Sequence, residues 1–272
     1  MPELPEVETT IRYLDKKVNG KTIISIKKSK KMLRKNLNLK DLNTIKGKKI
    51  LEIKRFAKYI LIKLSSLSYV IIHLGMSGRL KYFLKDNYQK EKHDHIILKF
   101  DKFYLVYNDP RRFGMFFKLE DQKELKSFFS NYGLDLLVDK ININEISEKF
   151  KKKSISLKQV LLDQRVFVGI GNIYANEALF HSRLSPLRLT NSLNFKEISN
   201  LIKSCRYVLK LSLKNGGSSI NDYKSPDGTL GSFQSMFSVY QKTEILLKKQ
   251  SFPVIKLNQN GRSTFYSPAL QK

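Results

Sequence analysis

The chain has 272 residues, of which 51 are basic and 24 acidic, giving a net charge of +27 with a single cysteine, Cys205. That length suits two modest domains or one large one with room for buried cores. One cysteine excludes an internal disulfide and a multi-thiolate zinc site. No run of about 18 apolar residues and no basic-then-apolar leader occurs, so a reducing, cytoplasmic setting without membrane association is expected. The charge points to a polyanion partner, most simply nucleic acid, although a lysine-rich chain also keeps many ammonium groups merely solvated. With 40 lysines and only 11 arginines, the Arg111-Arg112 pair and Arg262 stand out as places that need a planar, bidentate donor.

The chain opens Met1-Pro2-Glu3-Leu4-Pro5-Glu6-Val7-Glu8-Thr9-Thr10. Leu4, Val7, Ile11 and Leu14 share one helical face, which predicts an amphipathic helix over 4–17. Early proline and first-turn acids are ordinary features of a helix start. A chemical reading stands beside that one. A small residue after Met1 allows methionine removal, which frees Pro2 as a secondary amine titrating near pH ~7.7–8.0. Such an amine attacks an electrophilic sugar carbon and forms a Schiff base. Glu3 beside it, and Glu6 one turn on, are placed to move protons.

Short β-rich runs follow at 22–27, 49–53, 57–64, 69–74, 78–83, 95–100 and 103–107, spaced as in an antiparallel sandwich. Alternation puts Lys58 on the face of Phe56, Ile60 and Ile62, where partial desolvation suits proton transfer. A lysine guarding an edge strand fits the same pattern. Met76 stands at a loop tip between Gly75 and Gly78, as an apolar wedge for a base stack would. The turn at 108–114 carries Arg111, Arg112 and Phe113. His93 and His95 offer two imidazoles without a third ligand, a weak metal pair.

A helical patch at 122–129 and a polar connection to about 142 precede helical spacing over 143–213. Lys153 ends a triple lysine, which is usually a solvated run. Between Asp163 and Phe180 a helix ends near Leu162, a turn carries Gly169 and Gly171, and a second helix starts around Asn172. Glycines and free N–H groups at a helix start bind phosphate, with Asn172 capping the helix and offering its amide. No Lys-Ser/Thr or third glycine follows, so a nucleotide-binding loop is excluded. The glycine-punctuated stretch holding Ser225, Asp227, Gly228 and Thr229 reads as a mobile binding loop. Strands return over 237–266 around the Asn260-Gly261 turn, a strong hairpin signal.

Taken in order, Pro2–Thr9, the Lys58 context, the Met76 and Arg111–Phe113 turns and Asp163–Phe180 resemble the formamidopyrimidine-DNA glycosylases along essentially the whole chain. The resemblance implies an α+β fold of two domains. An N-terminal catalytic antiparallel β-sandwich flanked by helices (1–130) is joined by a linker (131–142) to a helical helix–two-turns–helix domain with the lesion loop (143–234). A β-hairpin finger (235–272) completes the chain. It also implies a bifunctional DNA glycosylase and AP lyase that excises oxidised purines, 8-oxoguanine and formamidopyrimidines, from duplex DNA in base-excision repair.

Pro2 would be the nucleophile and Glu3 the proton shuttle, with Glu6 in support. Lys58 would assist β-elimination and Arg262 δ-elimination. Met76, Arg111 and Phe113 would fill the gap left by the flipped nucleotide. His93, Arg112, Lys153 and Asn172 would hold phosphates, and Ser225, Asp227, Gly228 and Thr229 would close over the base. Two alternatives stay open: an oxidised-pyrimidine glycosylase of the endonuclease VIII type, whose start typically reads PEGPE, and a non-catalytic damaged-DNA-binding protein. The chain departs from the family pattern in the finger. Positions where the family has four zinc-binding cysteines are here Leu247, Gln250, Ser267 and Leu270. A metal-free hairpin packed through Ile245, Leu246, Leu247, Phe252, Val254, Ile255, Leu257 and Phe265 is expected, in a monomer without a small-molecule cofactor.

Overall fold

A computed structural model describes residues 1–219 and 223–272. The chain divides into two compact units, one of Met1–Asn131 with Asn215–Ser232, the other of Tyr132–Lys214 with Phe233–Lys272. The sequence partition assigns 215–232 to the helical domain. Packing instead lays that segment on the first helix, through hydrogen bonds to Glu6 given below.

In the first unit, α1 (Leu4–Val18) buries Leu4, Val7, Ile11, Leu14 and Val18, the face that the spacing predicts. Then come β1 (Ser25–Lys28), α2 (Leu39–Ile45), β2 (Ile50–Phe56), β3 (Tyr59–Leu64), β4 (Tyr69–His73), β5 (Arg79–Leu84), β6 (Asp94–Lys99), β7 (Phe103–Asn108), β8 (Met115–Leu119) and α3 (Gln122–Phe128). Two four-stranded antiparallel sheets form, in the orders β1-β6-β7-β5 and β2-β3-β4-β8. Their inner faces meet α1 in one core that includes Leu14, Ile60, Ile72, Leu98, Tyr107 and Phe116. Emptying a position such as Leu14 to alanine costs about 3 kcal/mol.

Register decides where the loops go. Tyr59 pairs with His73, and His73 with Met115, so the 57–58 turn, the loop after β4 and the turn before β8 share one end of a sheet. In the other sheet Asn108 pairs with both Arg79 and Asp94, which puts the ends of β5, β6 and β7 in line.

In the second unit, α4 (Ile143–Lys151), α5 (Leu157–Leu162), α6 (Asn172–His181) and α7 (Phe195–Lys214) precede β9 (Glu244–Leu247), β10 (Gln250–Pro253), β11 (Ile255–Gln259) and β12 (Arg262–Tyr266). Helix α6 is buried on every side, with Ile173, Tyr174, Ala175, Ala178, Leu179 and Phe180 all in the core. A helix apolar all round belongs at the centre of its domain. Hairpins β9–β10 and β11–β12 form the finger, the second closing at Asn260-Gly261, where both residues have positive φ.

Candidate functional site

The N-terminus is held by a carboxylate. Glu6 is 1% exposed. Its Oε2 accepts the Glu3 N–H at 2.8 Å, and its Oε1 accepts the Ser218 N–H at 2.7 Å and the Ser218 hydroxyl at 3.1 Å. Gly217 adopts φ +82, and a Cβ there would stand 3.0 Å from Glu6 Oε1, so only glycine brings the backbone this close without strain. Tyr223 donates its hydroxyl to the Glu6 carbonyl at 2.9 Å. Glu6 thus works as a fixed post that sets the backbone of Pro2 and Glu3, both of them buried.

Lys58 lies in the Ala57-Lys58 turn that joins β2 to β3, not in a strand as the alternation suggested; Ala57 takes φ +53. The turn interrupts the two-residue period, and Lys58 is buried at 8% exposure all the same. Arg55, which the sequence reading passed over, ties this turn to α1. Its Nε meets Glu8 Oε2 at 3.0 Å and its Nη1 donates to the Ala57 carbonyl at 3.2 Å. His73, also overlooked, is held down to about 4 by burial first, then by the positive charge of Lys58 and of Arg34. Its neutral Nδ1 accepts the Gly75 N–H at 3.0 Å, an arrangement that a protonated imidazole would abolish.

Met76 and Phe113 are exposed at 42% and 48% on neighbouring loops. The Arg111 guanidinium sits 4.9 Å from the Phe113 ring centroid, within cation–π range. Arg112 is exposed in a left-handed conformation at φ +59. His93 is half-buried in the turn just before β6. His95 is a satisfied core histidine: Nε2 donates to the Asp109 carbonyl at 2.9 Å and Nδ1 accepts from Ser29 Oγ at 2.9 Å.

The stretch expected to be a long mobile loop is a tight turn where described. Ser225 N–H donates to the Thr229 carbonyl at 2.9 Å, Gly228 N–H to the Ser225 carbonyl at 2.8 Å, and Tyr82 N–H to the Pro226 carbonyl at 2.9 Å. With Thr9, Arg12 and Tyr13 of α1, residues Ser225, Asp227 and Thr229 line a cavity of about 280 Å³.

In the second unit Lys153, Arg165 and Arg262 line one concavity of about 380 Å³, a basic groove built from three separate segments. Asn172 is the first residue of α6, with Gly171 as the cap. The amide that the sequence reading offered to phosphate donates one of its two hydrogens to the Ser263 carbonyl at 3.0 Å.

Two family models match, the formamidopyrimidine-DNA glycosylase N-terminal domain over residues 1–116 and the formamidopyrimidine-DNA glycosylase H2TH domain over 132–224. The chain belongs to the formamidopyrimidine-DNA glycosylase family. Its type is therefore that of a DNA glycosylase acting in DNA repair. A formamidopyrimidine-DNA glycosylase of Wolbachia pipientis subsp. Culex pipiens is 40% identical over 274 residues, covering 100% of both chains, and one of Rickettsia bellii is 35% identical over 273 residues with the same coverage. Among solved structures, a Lactococcus lactis Fpg mutant in complex with a Fapy-dG-containing DNA superposes with a TM-score of 0.91 at 32% identity, covering 100% of each chain. The Lactococcus lactis Fpg complex with DNA containing an abasic site gives 0.90 at 32% identity over 99% of each.

Against that family background the finger is the part built differently. Leu247, Gln250, Ser267 and Leu270 present no thiolate, imidazole or carboxylate, so they do not fit a zinc ion. Leu247 and Leu270 pack instead against Phe180, Val239, Ile245 and Phe265, with Tyr240 and Val254 alongside. Leu246 and Ile255, expected in that core, are exposed at 71% and 44%, Leu246 because it lies on the outer face of β9 and Ile255 because it stands at the first position of β11. Polar anchors from α5 and α6 complete the attachment. Glu177, fully buried, accepts the N–H groups of Ser238, Val239 and Tyr240 at 2.8, 3.0 and 2.8 Å. Asn176 Oδ1 accepts the Phe265 N–H at 2.8 Å. Lys158, 1% exposed, donates to the Ser263 carbonyl and to Thr264 Oγ1, both at 2.7 Å. The Lys158 bonds terminate on the two residues that follow Arg262.

Proposed function

We propose that this chain binds duplex DNA, extrudes an oxidised purine and removes it with Pro2 as nucleophile. Once Met1 is gone, the Pro2 nitrogen bonds to the sugar C1′ as the C1′–base bond breaks, and the base leaves with a proton. Glu3 relays protons at the sugar, so that the ring opens to a Schiff base. Lys58 assists loss of the 3′ phosphate, and Arg262 assists loss of the 5′ phosphate. His93, Arg112 and Lys153 hold the backbone, and Met76, Arg111 and Phe113 fill the vacated stack. The turn at 225–229 contributes to purine recognition, and the finger works without a metal.

The observation that carries this reading is the double engagement of Glu6, which fixes the backbone at Pro2 and Glu3 in a buried setting. A structural helix start needs no buried carboxylate reaching a segment more than two hundred residues away. The Lactococcus lactis relative seen with Fapy-dG-containing DNA supports the substrate class.

Borohydride trapping on a duplex with 8-oxoguanine opposite cytosine, with EDTA present, tests the whole. The expected result is a covalent adduct at residue 2, lost in Pro2→Gly. An adduct formed only on oxidised pyrimidine would move the chain to the endonuclease VIII type. DNA binding without any adduct, after verified methionine removal, would leave a binding protein.

A further inference from the structure

We infer that Asp109 is the positioning residue that locks the Met76 loop and the Arg111–Phe113 turn into one rigid wedge, so that its carboxylate governs base extrusion rather than bond breaking. The inference rests on the wedge reading of Met76, Arg111 and Phe113 and adds a residue to it.

Asp109 has no exposed surface. Its Oδ1 accepts the Ser77 hydroxyl at 2.6 Å, next door to Met76. Its Oδ2 accepts the Gly114 N–H at 2.9 Å, next door to Phe113, and the Tyr107 hydroxyl at 3.4 Å. Ser77 Oγ in turn accepts the Arg111 N–H at 3.1 Å. A chain of hydrogen bonds therefore runs from Arg111 through Ser77 to Asp109 and back to Gly114, crossing between the loops twice. Bonds to an ionised acceptor are the short, strong kind, and in a buried chain each polarises the next.

The Asp109 backbone is fixed as well, by its N–H to the His93 carbonyl at 3.0 Å and by His95 Nε2 on its carbonyl at 2.9 Å. The two loops also touch directly, since a Cβ on Gly75 would lie 2.6 Å from Gly114 N and from the Phe113 carbonyl carbon.

The tips carried by this frame are exposed, Met76 and Phe113 apolar and Arg111 cationic. A tip that enters a base stack is effective only if it does not first have to be ordered, because flexible side chains and loops lose entropy on insertion. A single carboxylate that satisfies donors on both loops supplies that order in advance. Nothing in the arrangement brings Asp109 to the sugar or the base, which is why the effect belongs to extrusion.

The test follows 2-aminopurine fluorescence beside the lesion by stopped flow, in parallel with cleavage of a duplex carrying a preformed abasic site and with melting temperature. Ser77→Ala and Asp109→Asn should each slow the fluorescence step about tenfold while abasic-site cleavage, which has no base to unstack, stays within threefold. The double variant should be no slower than the slower single one, because both act through one bond. Ser77→Thr keeps the hydroxyl and should keep the wild-type rate. If Asp109→Asn fails to fold, Ser77→Ala decides alone.

Met76→Ala separates the two readings. Should it slow extrusion while Ser77→Ala and Asp109→Asn do not, the role of Asp109 is overturned and the wedge stands. Should Met76→Ala leave extrusion unchanged, the wedge reading falls and this inference with it. Equal losses of extrusion and abasic-site cleavage in Ser77→Ala would mark a merely structural contact and overturn it too.

Discussion

His73 illustrates how one side chain ties stability to the site. Its imidazole is lowered from 6.5 to about 4 by burial and by the Lys58 charge, so folding favours the neutral form. The sign follows from linkage: the unfolded chain binds the proton first as pH falls, so this stabilisation is complete above about pH 6.5 and fades down to about pH 4. Denaturation at pH 7 and pH 5 should differ by about 2 kcal/mol on this account, and His73→Asn should flatten the difference. The same protonation removes the acceptor that holds Gly75, so base-excision activity should fall over this window more steeply in the wild type than in His73→Asn. Arg188 forms a two-pronged pair with Glu197 at 2.7 and 3.1 Å. It clamps the start of α7.

At the scale of elements, α6 is both the core of its unit and the mount for the finger. Glu177→Gln removes the charge and sets an amide NH2 against at least one of the three N–H donors, and should cost about 2 kcal/mol in urea denaturation, with exchange protection lost first at 238–240. Lys158→Met removes one of two donors to the Ser263 carbonyl and the donor to Thr264 Oγ1, and should cost about 2 kcal/mol. Its sharper signature is chemical: if Arg262 drives δ-elimination, the product of β-elimination alone should accumulate on sequencing gels. The strands of both sheets and the helix–turn–helix around Gly169 were readable from periodicity and turn residues. Strand β8 was not, because Met115, Phe116 and Phe117 are consecutive buried residues with no alternation. Helix α2 escaped for the opposite reason, burying only Asp41 and Ile45. The roles of Asn172, Asn176, Glu177 and Asp109 were hidden by distance along the chain. A sequence displays a carboxylate but not the backbone N–H groups that will converge on it from sixty residues away.

For the whole molecule, charge sets the working conditions. With a net +27, affinity for duplex should fall linearly in log–log fashion with salt, and Lys153→Ala should reduce the slope by about one while leaving sequence preference unchanged. Fluorescence anisotropy over a salt series reads this directly. The leucines at two of the finger's four cysteine positions matter for another reason, one of chemical wear. Thiolates that hold a metal are also targets for peroxide, which strips them stepwise to sulfenic and sulfinic acids. Leu247, Gln250, Ser267 and Leu270 have no thiolate to lose. The lone thiol in the chain, Cys205, is buried and pushed up to about 12, far from the thiolate form that peroxide attacks. Preincubation with millimolar peroxide should therefore leave exchange protection of the β11–β12 hairpin unchanged, whereas the exposed thioether of Met76 is open to sulfoxide formation. A DNA-repair glycosylase with such a finger keeps that part of its fold out of reach of thiol oxidation.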